Sequence, residues 1–306
     1  MKVLVTGGTG FVGREVVRQL RAQWHQVRLL VRDLNAPSVE RIPLRTKIEL
    51  HQGSVLDPLP LTPAMKGVDA VIHLVGIISE IGDQTFENVH TRGTENIVRA
   101  ALITGVRRVI HMSALGTRPN AVSRYHQTKW AAEQAISQST LAWTIFRPSL
   151  IYGPEDQFVN RFAEMTKSSP VLPVMGDGTS LFQPIAVQDV ANCFVSALSK
   201  PRTIRETFDL CGPDRLIFPE ILRAILIATG RKKRIVRVPL KLARLMARFL
   251  EFYYPKFLKK APPLNRDQLQ MLQENNVGDP KWATEVFSFR PKSFPDGIAD
   301  YLSKAI

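Results

Sequence analysis

Tyr125 and Lys129 have the residue types and the spacing of a proton-transfer pair. Residues four positions apart lie on the same face of an α-helix, and a helical pattern continues through residues 130–136. An ammonium group beside a phenol lowers the pKa of the phenol, which then exchanges protons with a substrate oxygen more readily near neutral pH. The pair therefore predicts acid–base chemistry at a carbonyl or an alcohol. Because this spacing is also common by chance, the prediction depends on the elements that position the two side chains.

Ser113 is a further candidate for this chemistry. It follows the apolar segment 106–112, whose pattern predicts a buried strand. Ligands bind at the carboxyl ends of the strands in parallel α/β sheets. We therefore predict that the Ser113 hydroxyl lies at that edge and orients the substrate for Tyr125.

The first thirteen residues form the second pattern with a chemical meaning. An apolar strand at residues 2–6 runs directly into a turn that contains Gly7, Gly10 and Gly13, and an apolar helical pattern follows. In such a turn the first glycine permits the tight bend, the second lets phosphates approach the backbone, and the third lets helix and strand pack closely. The start of the helix adds unpaired N–H groups, which bind anions. The segment therefore predicts a site for the pyrophosphate of a dinucleotide.

The end of the second predicted strand, residues 27–31, bears on which dinucleotide binds. An NAD-selective site usually has an acidic residue here that holds the ribose hydroxyls, but this chain has Val31 followed by Arg32. A guanidinium binds a phosphate through charge-assisted hydrogen bonds, so NADP(H) is favoured over NAD(H). Asp33 keeps NAD(H) open, because a shift of one residue would bring its carboxylate to the ribose.

The chain carries a large positive charge. Its 306 residues include 41 Lys and Arg against 27 Asp and Glu, a formal net charge of +14, which favours an anionic partner. Residues 231–260 contain eleven basic residues and one acid among apolar and aromatic side chains. This composition is typical of a helix that lies on an anionic membrane surface; the alternative is a lobe helix that buries its apolar stripe in the core. Nucleic acid is not favoured, because no binding motif accompanies the charge.

Cysteine usage and hydropathy indicate a compartment. The two cysteines, Cys193 and Cys211, predict no disulfide framework and suit a reducing environment. The first strand begins at residue 2, which leaves no room for a targeting peptide, and no uncharged apolar run reaches about 18 residues. No metal site is predicted. We expect a cytoplasmic protein, either free or peripheral on the inner face of a membrane.

Four segments of the sequence resemble the extended and atypical branches of the short-chain dehydrogenase/reductase superfamily. They are the glycine turn, the Tyr125 and Lys129 pair, the sequence Arg-Pro-x-x-x-Tyr-Gly-Pro at 147–154, and a Pro-Pro-Leu…Asn-Val tail at 262–277. The atypical group that these segments resemble includes the NADPH-binding accessory subunit of respiratory complex I and its free-standing bacterial relatives, which are often called epimerases or dehydratases.

The resemblance implies an α/β fold, a Rossmann doubly wound parallel sheet with a smaller C-terminal lobe. Residues 1–153 would form the NAD(P)-binding domain. Residues 154–306 would form mainly the lobe that contacts a small-molecule substrate, with a return to the Rossmann sheet at about 184–211.

The resemblance also implies roles for single residues. Ser54 replaces the acid that relatives usually place beside the adenine, residues 74–76 pass under the cofactor, and Arg147 with Pro148 borders the nicotinamide. The predicted catalytic residues are Tyr125, Lys129 and Ser113. The predicted cofactor-binding residues are Gly7, Thr9, Gly10, Phe11, Val12, Gly13, Arg32, Ser54, Val55, Leu74, Val75, Gly76, Lys129, Arg147 and Pro148.

Two functions are consistent with these residues. In the first, the protein is a reductase or epimerase in which hydride passes between NADP(H) and a carbonyl or alcohol, with Tyr125 as acid and base. In the second, it is a catalytically weak or inactive NADPH-binding accessory or sensor protein, associated with a respiratory complex or a membrane surface. Ala114 distinguishes them, because aligning the strand end with relatives places Ala114, which has no hydroxyl, where classical spacing places Ser113.

Overall fold

The computed structural model describes residues 1–303 and is built around one parallel sheet. Its strands, numbered along the chain, are β1 (Lys2–Thr6), β2 (Gln26–Val31), β3 (Glu49–Gln52), β4 (Ala70–His73), β5 (Arg108–Met112), β6 (Ala142–Pro148), β7 (Ile151–Tyr152), β8 (Val171–Met175), β9 (Leu181–Phe182), β10 (Ile185–Ala186), β11 (Glu206–Leu210), β12 (Leu216–Ile217) and β13 (Arg234–Val238). Seven of them form the central sheet, in the order β3, β2, β1, β4, β5, β6, β11. Every neighbouring pair in this sheet is parallel.

Helices cover both faces of the sheet. They are α1 (Phe11–Ala22), α2 (Pro37–Glu40), α3 (Leu61–Met65), α4 (Gly93–Thr104), α5 (Arg124–Ser137), α6 (Val159–Ser168), α7 (Val187–Ser196), α8 (Phe218–Ala228), α9 (Leu240–Tyr253), α10 (Arg266–Met271), α11 (Lys281–Phe287) and α12 (Phe294–Leu302). A π-helical turn, Glu87–Arg92, precedes α4, and another, Tyr254–Leu258, follows α9. Short 3-10 turns occupy Arg45–Lys47 and Pro201–Thr203.

The buried strands divide their side chains between two cores, because successive residues of a strand point to opposite faces. In β1, Val3 and Val5 pack in one core with α1, α7 and α11, whereas Leu4 packs in the other with α3, α4 and α5. The predicted α/β fold with a doubly wound parallel sheet is thereby confirmed. Strand order reverses between β1 and β4, and ligands of such sheets bind at this switch point, beyond the carboxyl ends of the strands.

A smaller lobe has its own apolar core, formed around α6, α8, α12 and the short strand pairs β7–β10, β9–β12 and β8–β13. Strand β11 lies beside β6 in the central sheet, and α7 packs on α1. The chain also returns to the central sheet a second time, which the sequence did not predict: α11 packs on β11, and its Phe287 joins the core of the main sheet. Within residues 1–303 no helix is long and apolar enough to cross a membrane.

Candidate functional site

The turn between β1 and α1 requires glycine at two positions. Gly7 has a φ of +76°, in the left-handed region that favours glycine. A Cβ atom on Gly13 would lie 2.1 Å from the Gly7 carbonyl oxygen, so helix α1 packs on the turn at a distance that only glycine allows. The Gly10 N–H donates to the same Gly7 oxygen at 3.0 Å, which closes the turn.

The start of α1 fits an anionic group. Gly10 is the N-cap and provides no side-chain cap, and the first turn contains no acidic residue. Within the described chain, the N–H groups of Phe11 and Val12 have no hydrogen-bond partner. Thr9 is fixed through its carbonyl, which accepts from Arg14 Nη1 at 2.7 Å. Unpaired N–H groups at a helix start bind phosphates. The residues present therefore fit the pyrophosphate of a dinucleotide.

Arg32 and Asp33 follow the end of β2, and their side chains differ in the hydrogen bonds that they make. The exposed Arg32 guanidinium donates one hydrogen bond of 3.3 Å to the Gln84 amide oxygen, and it has no acidic partner among residues 1–303. The Asp33 carboxylate instead accepts the Asn35 N–H at 2.9 Å, which holds it in a local turn. Arg32 is therefore the more available of the two for a ligand.

Ser54 and Val55 lie in the turn after β3. The Ser54 hydroxyl oxygen accepts the Leu56 N–H at 3.2 Å. Val55 is buried and packs on Gly93, and its carbonyl accepts from Asn96 Nδ2 at 2.9 Å. Asn96 is thus a packing amide that ties α4 to this turn.

The segment that follows β4 connects the glycine turn with α5. The Leu74 N–H donates to the Thr6 carbonyl at 3.0 Å, and a Cβ on Gly7 would lie 3.1 Å from the Val75 nitrogen. Two residues after Leu74, the exposed Gly76 lies against Lys129: a Cβ there would be 3.1 Å from Lys129 Nζ. The structure therefore brings residues 74–76, the glycine turn and Lys129 together.

Tyr125 and Lys129 lie on one face of α5. The half-buried Tyr125 ring meets the rings of Phe86, His90 and His126 edge-on, with centroid distances of 5.2 to 5.9 Å. Lys129 is 1% exposed, and its Nζ donates to the carbonyl of the last β5 residue at 2.9 Å.

The electrostatics of this pair differ from the sequence-based expectation. Burial, with a smaller contribution from the Asp267 carboxylate, raises the pKa of Tyr125 to about 12. Burial lowers the pKa of Lys129 to about 8, which the Glu133 carboxylate partly opposes. The expectation that the ammonium would lower the phenol pKa is wrong for this structure, because loss of hydration disfavours the phenolate. At neutral pH the phenol keeps its proton and Lys129 keeps its charge.

His90 is a buried neighbour of the pair that the sequence analysis missed. Its Nε2 accepts the Ile77 N–H at 3.1 Å, so its Nδ1 carries the proton and donates to Thr128 Oγ1 at 3.0 Å. Burial first, and the Lys129 charge second, lowers the pKa of His90 to about 2. His90 is therefore a neutral ring that fixes the loop after β4 against α5.

His73 and His111 are two further buried histidines, on the strands β4 and β5. They are paired in register on β4 and β5, and their rings stack at 5.2 Å. His73 bonds Thr6 Oγ1 at 2.6 Å and Thr94 Oγ1 at 3.1 Å, whereas neither ring nitrogen of His111 has a hydrogen-bond partner among residues 1–303. Burial lowers the pKa of His73 to about 3 and that of His111 well below its usual value. Their recurrence at the ends of two neighbouring strands is the sequence signal that could have identified them.

Ser113 follows Met112, whose carbonyl accepts a hydrogen bond from Lys129 Nζ. Its side chain is 3% exposed and its hydroxyl lies 3.4 Å from Thr117 Oγ1. The next residue, Ala114, is half-buried. In the part of the chain described, no hydrogen bond joins Ser113 to Tyr125 or to Lys129. The geometry therefore does not decide whether Ser113 or Ala114 occupies the position of the substrate-orienting hydroxyl.

Arg147 is engaged in an ion pair rather than exposed to a ligand. Its Nε donates to Glu133 Oε1 at 2.8 Å and its Nη2 binds the other carboxylate oxygen. Glu133 is 3% exposed on α5, and the guanidinium also lies 6.0 Å from the Trp130 ring centroid. This pair fastens α5 to β6. Pro148 is buried at the end of β6, and its carbonyl accepts the Leu115 N–H at 2.9 Å.

The N-terminus of α5 is capped from the lobe. The Asp267 carboxylate accepts the N–H groups of Arg124 at 2.8 Å and Tyr125 at 3.0 Å, while Ser123, the N-cap, accepts from the His126 N–H. These contacts give Asp267, the acid of the tail at 262–277, a structural role, because it caps the helix that carries Tyr125. A cavity of about 520 Å³ adjoins this cap, lined by residues that include Phe86, Arg124 and Asp267.

Replacing Lys129 by methionine is expected to stabilise the protein by about 3 kcal/mol at pH 7, because the native state no longer carries a buried charge. The native pKa is about 8 and the unfolded value is about 10.4, so wild-type stability rises between these two pH values, where only the unfolded chain keeps the proton. The methionine variant should lack this rise. Urea unfolding at pH 7 and pH 10 measures both effects. Lys66→Met, at an exposed position, is the control; equal stability of the two variants would contradict the buried charge.

Sheet order and glycine turn together define the class, a Rossmann protein whose switch point is formed to bind a dinucleotide. Sequence comparison leads to the same class. A family model described as NAD(P)H-binding matches residues 7–201, and the chain belongs to this family.

Individual relatives refine the comparison. The chain is 31% identical over 286 residues to "NADH dehydrogenase [ubiquinone] 1 alpha subcomplex subunit 9, mitochondrial" of Arabidopsis thaliana, covering 89% of this chain and 70% of the relative. It is 31% identical over 237 residues to the "Ceramide reductase" of Caulobacter vibrioides, covering 78% and 73%. The solved UDP-glucose 4-epimerase of Thermotoga maritima superposes with a TM-score of 0.78 at 20% identity, covering 100% and 99%, which shows the shared fold. The resemblance to short-chain dehydrogenases/reductases and to the complex I subunit is confirmed.

Proposed function

We propose that the protein is an NADP(H)-dependent oxidoreductase that interconverts a carbonyl and an alcohol. The observation that carries the proposal is the meeting of three segments: the glycine turn, the loop ending at Gly76, and the α5 face with Tyr125 and Lys129. A dinucleotide whose pyrophosphate lies at the start of α1 would extend along this loop toward Lys129. Two relatives with reductase names, "Ceramide reductase" and the "NAD(P)H azoreductase" of Xenophilus azovorans, support an oxidoreductase.

The residues have separate roles in this proposal. Tyr125, protonated at neutral pH because of its raised pKa, donates a proton to the substrate oxygen during reduction. The Lys129 ammonium, charged at neutral pH, binds the ribose hydroxyls. Ser113 orients the substrate. When bound, the nicotinamide supplies the hydride.

We assign dinucleotide binding to residues 1–153 and substrate contacts mainly to residues 154–306. Asp267 supports this division, since the lobe reaches the α5 N-terminus through it. Among the predicted cofactor residues, Arg147 would act through its ion pair with Glu133, which holds α5 against β6.

NADP(H) selectivity is tested by thermal unfolding with matched concentrations of NADPH, NADP⁺, NADH and NAD⁺. A ligand at 100 times its Kd stabilises the native state by about 2.7 kcal/mol. We expect the phosphorylated pair to raise the Tm more than the other pair, because the Arg32 guanidinium is exposed and without an acidic partner in the described chain. Arg32→Ala should remove this difference.

Arg41→Ala is the matched control, since Arg41 is also exposed and lies soon after β2; it should keep the wild-type order of the four shifts. Equal shifts with all four dinucleotides in the wild type would contradict the 2′-phosphate assignment and return the choice to NAD(H).

A second candidate is an NADPH-binding accessory or sensor protein with weak or no catalysis. The Ser113 hydroxyl contacts Thr117 instead of Tyr125, and the raised pKa of Tyr125 opposes its action as a base. The similarity to complex I subunits favours association with a respiratory complex. A cytoplasmic location, peripheral on the inner face of a membrane, would accompany this function.

A further inference from the structure

The apolar residues of α9 face away from the protein. Its two fully buried residues are small, Ala243 and Ala247, and they pack against Leu269 of α10. At about 100° per residue, the exposed apolar side chains occupy an arc of about 120° on the opposite side. They form what we call the α9 apolar face: Leu242, Leu245, Met246, Phe249, Phe252 and Tyr253. The alternative in which this helix buries its apolar stripe in the lobe is therefore wrong.

Aromatic rings make this face continuous. Phe249 stacks on Tyr253 at 5.7 Å, and Tyr253 packs on Phe257 of the following π-helical turn at 5.2 Å. Phe249 and Phe257 are 62% and 58% exposed. Lys256 Nζ lies 4.9 Å from the Phe252 ring centroid, so its charge is held beside the apolar surface. Exposed apolar patches of this kind mark interaction sites.

Cations flank the same face. Lys241, Arg244 and Arg248 follow one side of α9 and are all exposed, as are Lys259 and Lys260 after it. No carboxylate pairs with these five side chains among residues 1–303. The one acid of residues 231–260, Glu251, is bound by Arg266 through Oε1 and Oε2, each at 2.7 Å.

We propose that the α9 apolar face and its flanking cations dock on the surface of an anionic phospholipid bilayer, with the helix axis parallel to the membrane plane. Leu245 and Phe249 would enter the boundary between headgroups and acyl chains, and Lys241, Arg244 and Arg248 would contact the phosphates. Each basic residue close to an anionic surface contributes about 1 kcal/mol. A second copy fits this face less well, because it would oppose uncompensated cations to one another.

Bilayer docking requires neither a dinucleotide nor Tyr125. It can therefore fail while the proposed oxidoreductase is correct, and the reverse also holds.

Vesicle flotation tests the docking with the full chain. Wild type should float with vesicles of phosphatidylcholine and phosphatidylglycerol at low salt, and it should remain unbound with phosphatidylcholine alone or at high salt, where the attraction is screened. Leu245→Glu with Phe249→Glu should lower the bound fraction at least tenfold. Lys241, Arg244 and Arg248 all replaced by Glu should do the same without altering the apolar face.

Matched variants control for generic surface changes. Leu102→Glu with Ile103→Glu places two charges at exposed apolar residues of α4, 49% and 66% exposed, so its net charge matches that of the α9 double variant. Replacing Arg41, Arg99 and Arg107 by Glu changes the net charge as much as the α9 triple variant does, at exposed positions outside the lobe. Both controls should bind vesicles like wild type. Far-UV circular dichroism and a cooperative thermal unfolding transition without ligand, both like the wild type in every variant, verify the fold.

Three results would overturn the proposal. One is vesicle binding that neither α9 variant weakens, and another is equal loss in the matched controls. The third is a wild-type dimer on size exclusion that Leu245→Glu with Phe249→Glu dissociates while vesicles bind nothing; that result would assign the face to a second copy of the chain.

Discussion

Gly13→Ala is expected to abolish dinucleotide binding and to lower the free energy of unfolding by about 3 kcal/mol, the upper range for overpacking. The added Cβ would lie 2.1 Å from the Gly7 carbonyl oxygen and 2.6 Å from the Gly8 Cα. The Gly7 backbone has little room to retreat, because it lies close to the peptide between Leu74 and Val75. Relief therefore requires α1 to move off the turn, which would displace the N–H groups that fit the pyrophosphate. Urea unfolding and NADPH titration measure the two effects.

Gly67→Ala is the control for this variant. Its Cβ would meet nothing within 4 Å, so the substitution carries only the strain of a φ of +70°, about 1 to 2 kcal/mol. NADPH should bind this control as it binds the wild type. If Gly13→Ala also bound NADPH normally, the turn after β1 would not be the pyrophosphate site.

The glycine turn was predictable from the sequence because the residues that determine it are close together in the chain. The strand, the three glycines and the apolar helical pattern lie within one short stretch, and each constrains its neighbours. The same holds for the α5 face that carries Tyr125 and Lys129. In contrast, the acid that caps α5 lies 142 residues after Tyr125 in the chain, and no local pattern indicates which helix it meets.

Helix α9 shows a different limit. Its sequence contains an apolar stripe and two alanines, and periodicity alone leaves open whether the apolar stripe faces the core or a membrane surface. In the structure Ala243 and Ala247 pack closely on α10, and the large side chains remain exposed. Only the neighbouring element decides between the two faces.

Arg147 and Tyr125 show why site chemistry could not be predicted in full. The guanidinium belongs to the motif from which a contact with the nicotinamide was predicted, yet its partner Glu133 is a buried residue of α5 that the motif does not include. The pKa of Tyr125 depends on burial and on Asp267 more than on Lys129. Both properties arise from tertiary packing, which sequence spacing does not report.

Tyr125→Phe is expected to lower the rate of NADPH-dependent carbonyl reduction about 10²- to 10⁴-fold, the usual contribution of a positioned acid. NADPH affinity should stay unchanged, because the ring keeps its contacts with Phe86, His90 and His126. The wild-type rate should be constant below pH 8 and fall above it, since the pKa of Lys129 is about 8 and its ammonium is lost there. Phenanthrenequinone serves as the carbonyl probe, with NADPH oxidation followed by absorbance.

Tyr254→Phe is the matched control, a half-buried tyrosine at the start of the π-helical turn after α9, and it should leave the rate unchanged. A Tyr125→Phe variant that reduces the probe like wild type would show that the reaction does not use this phenol. In that case NADPH binding without Tyr125 chemistry would favour the accessory protein over the oxidoreductase. A wild type that binds NADPH but reduces no carbonyl would support the same conclusion. The contact of the Ser113 hydroxyl with Thr117 would then explain the lack of activity, because this hydroxyl would not orient a substrate.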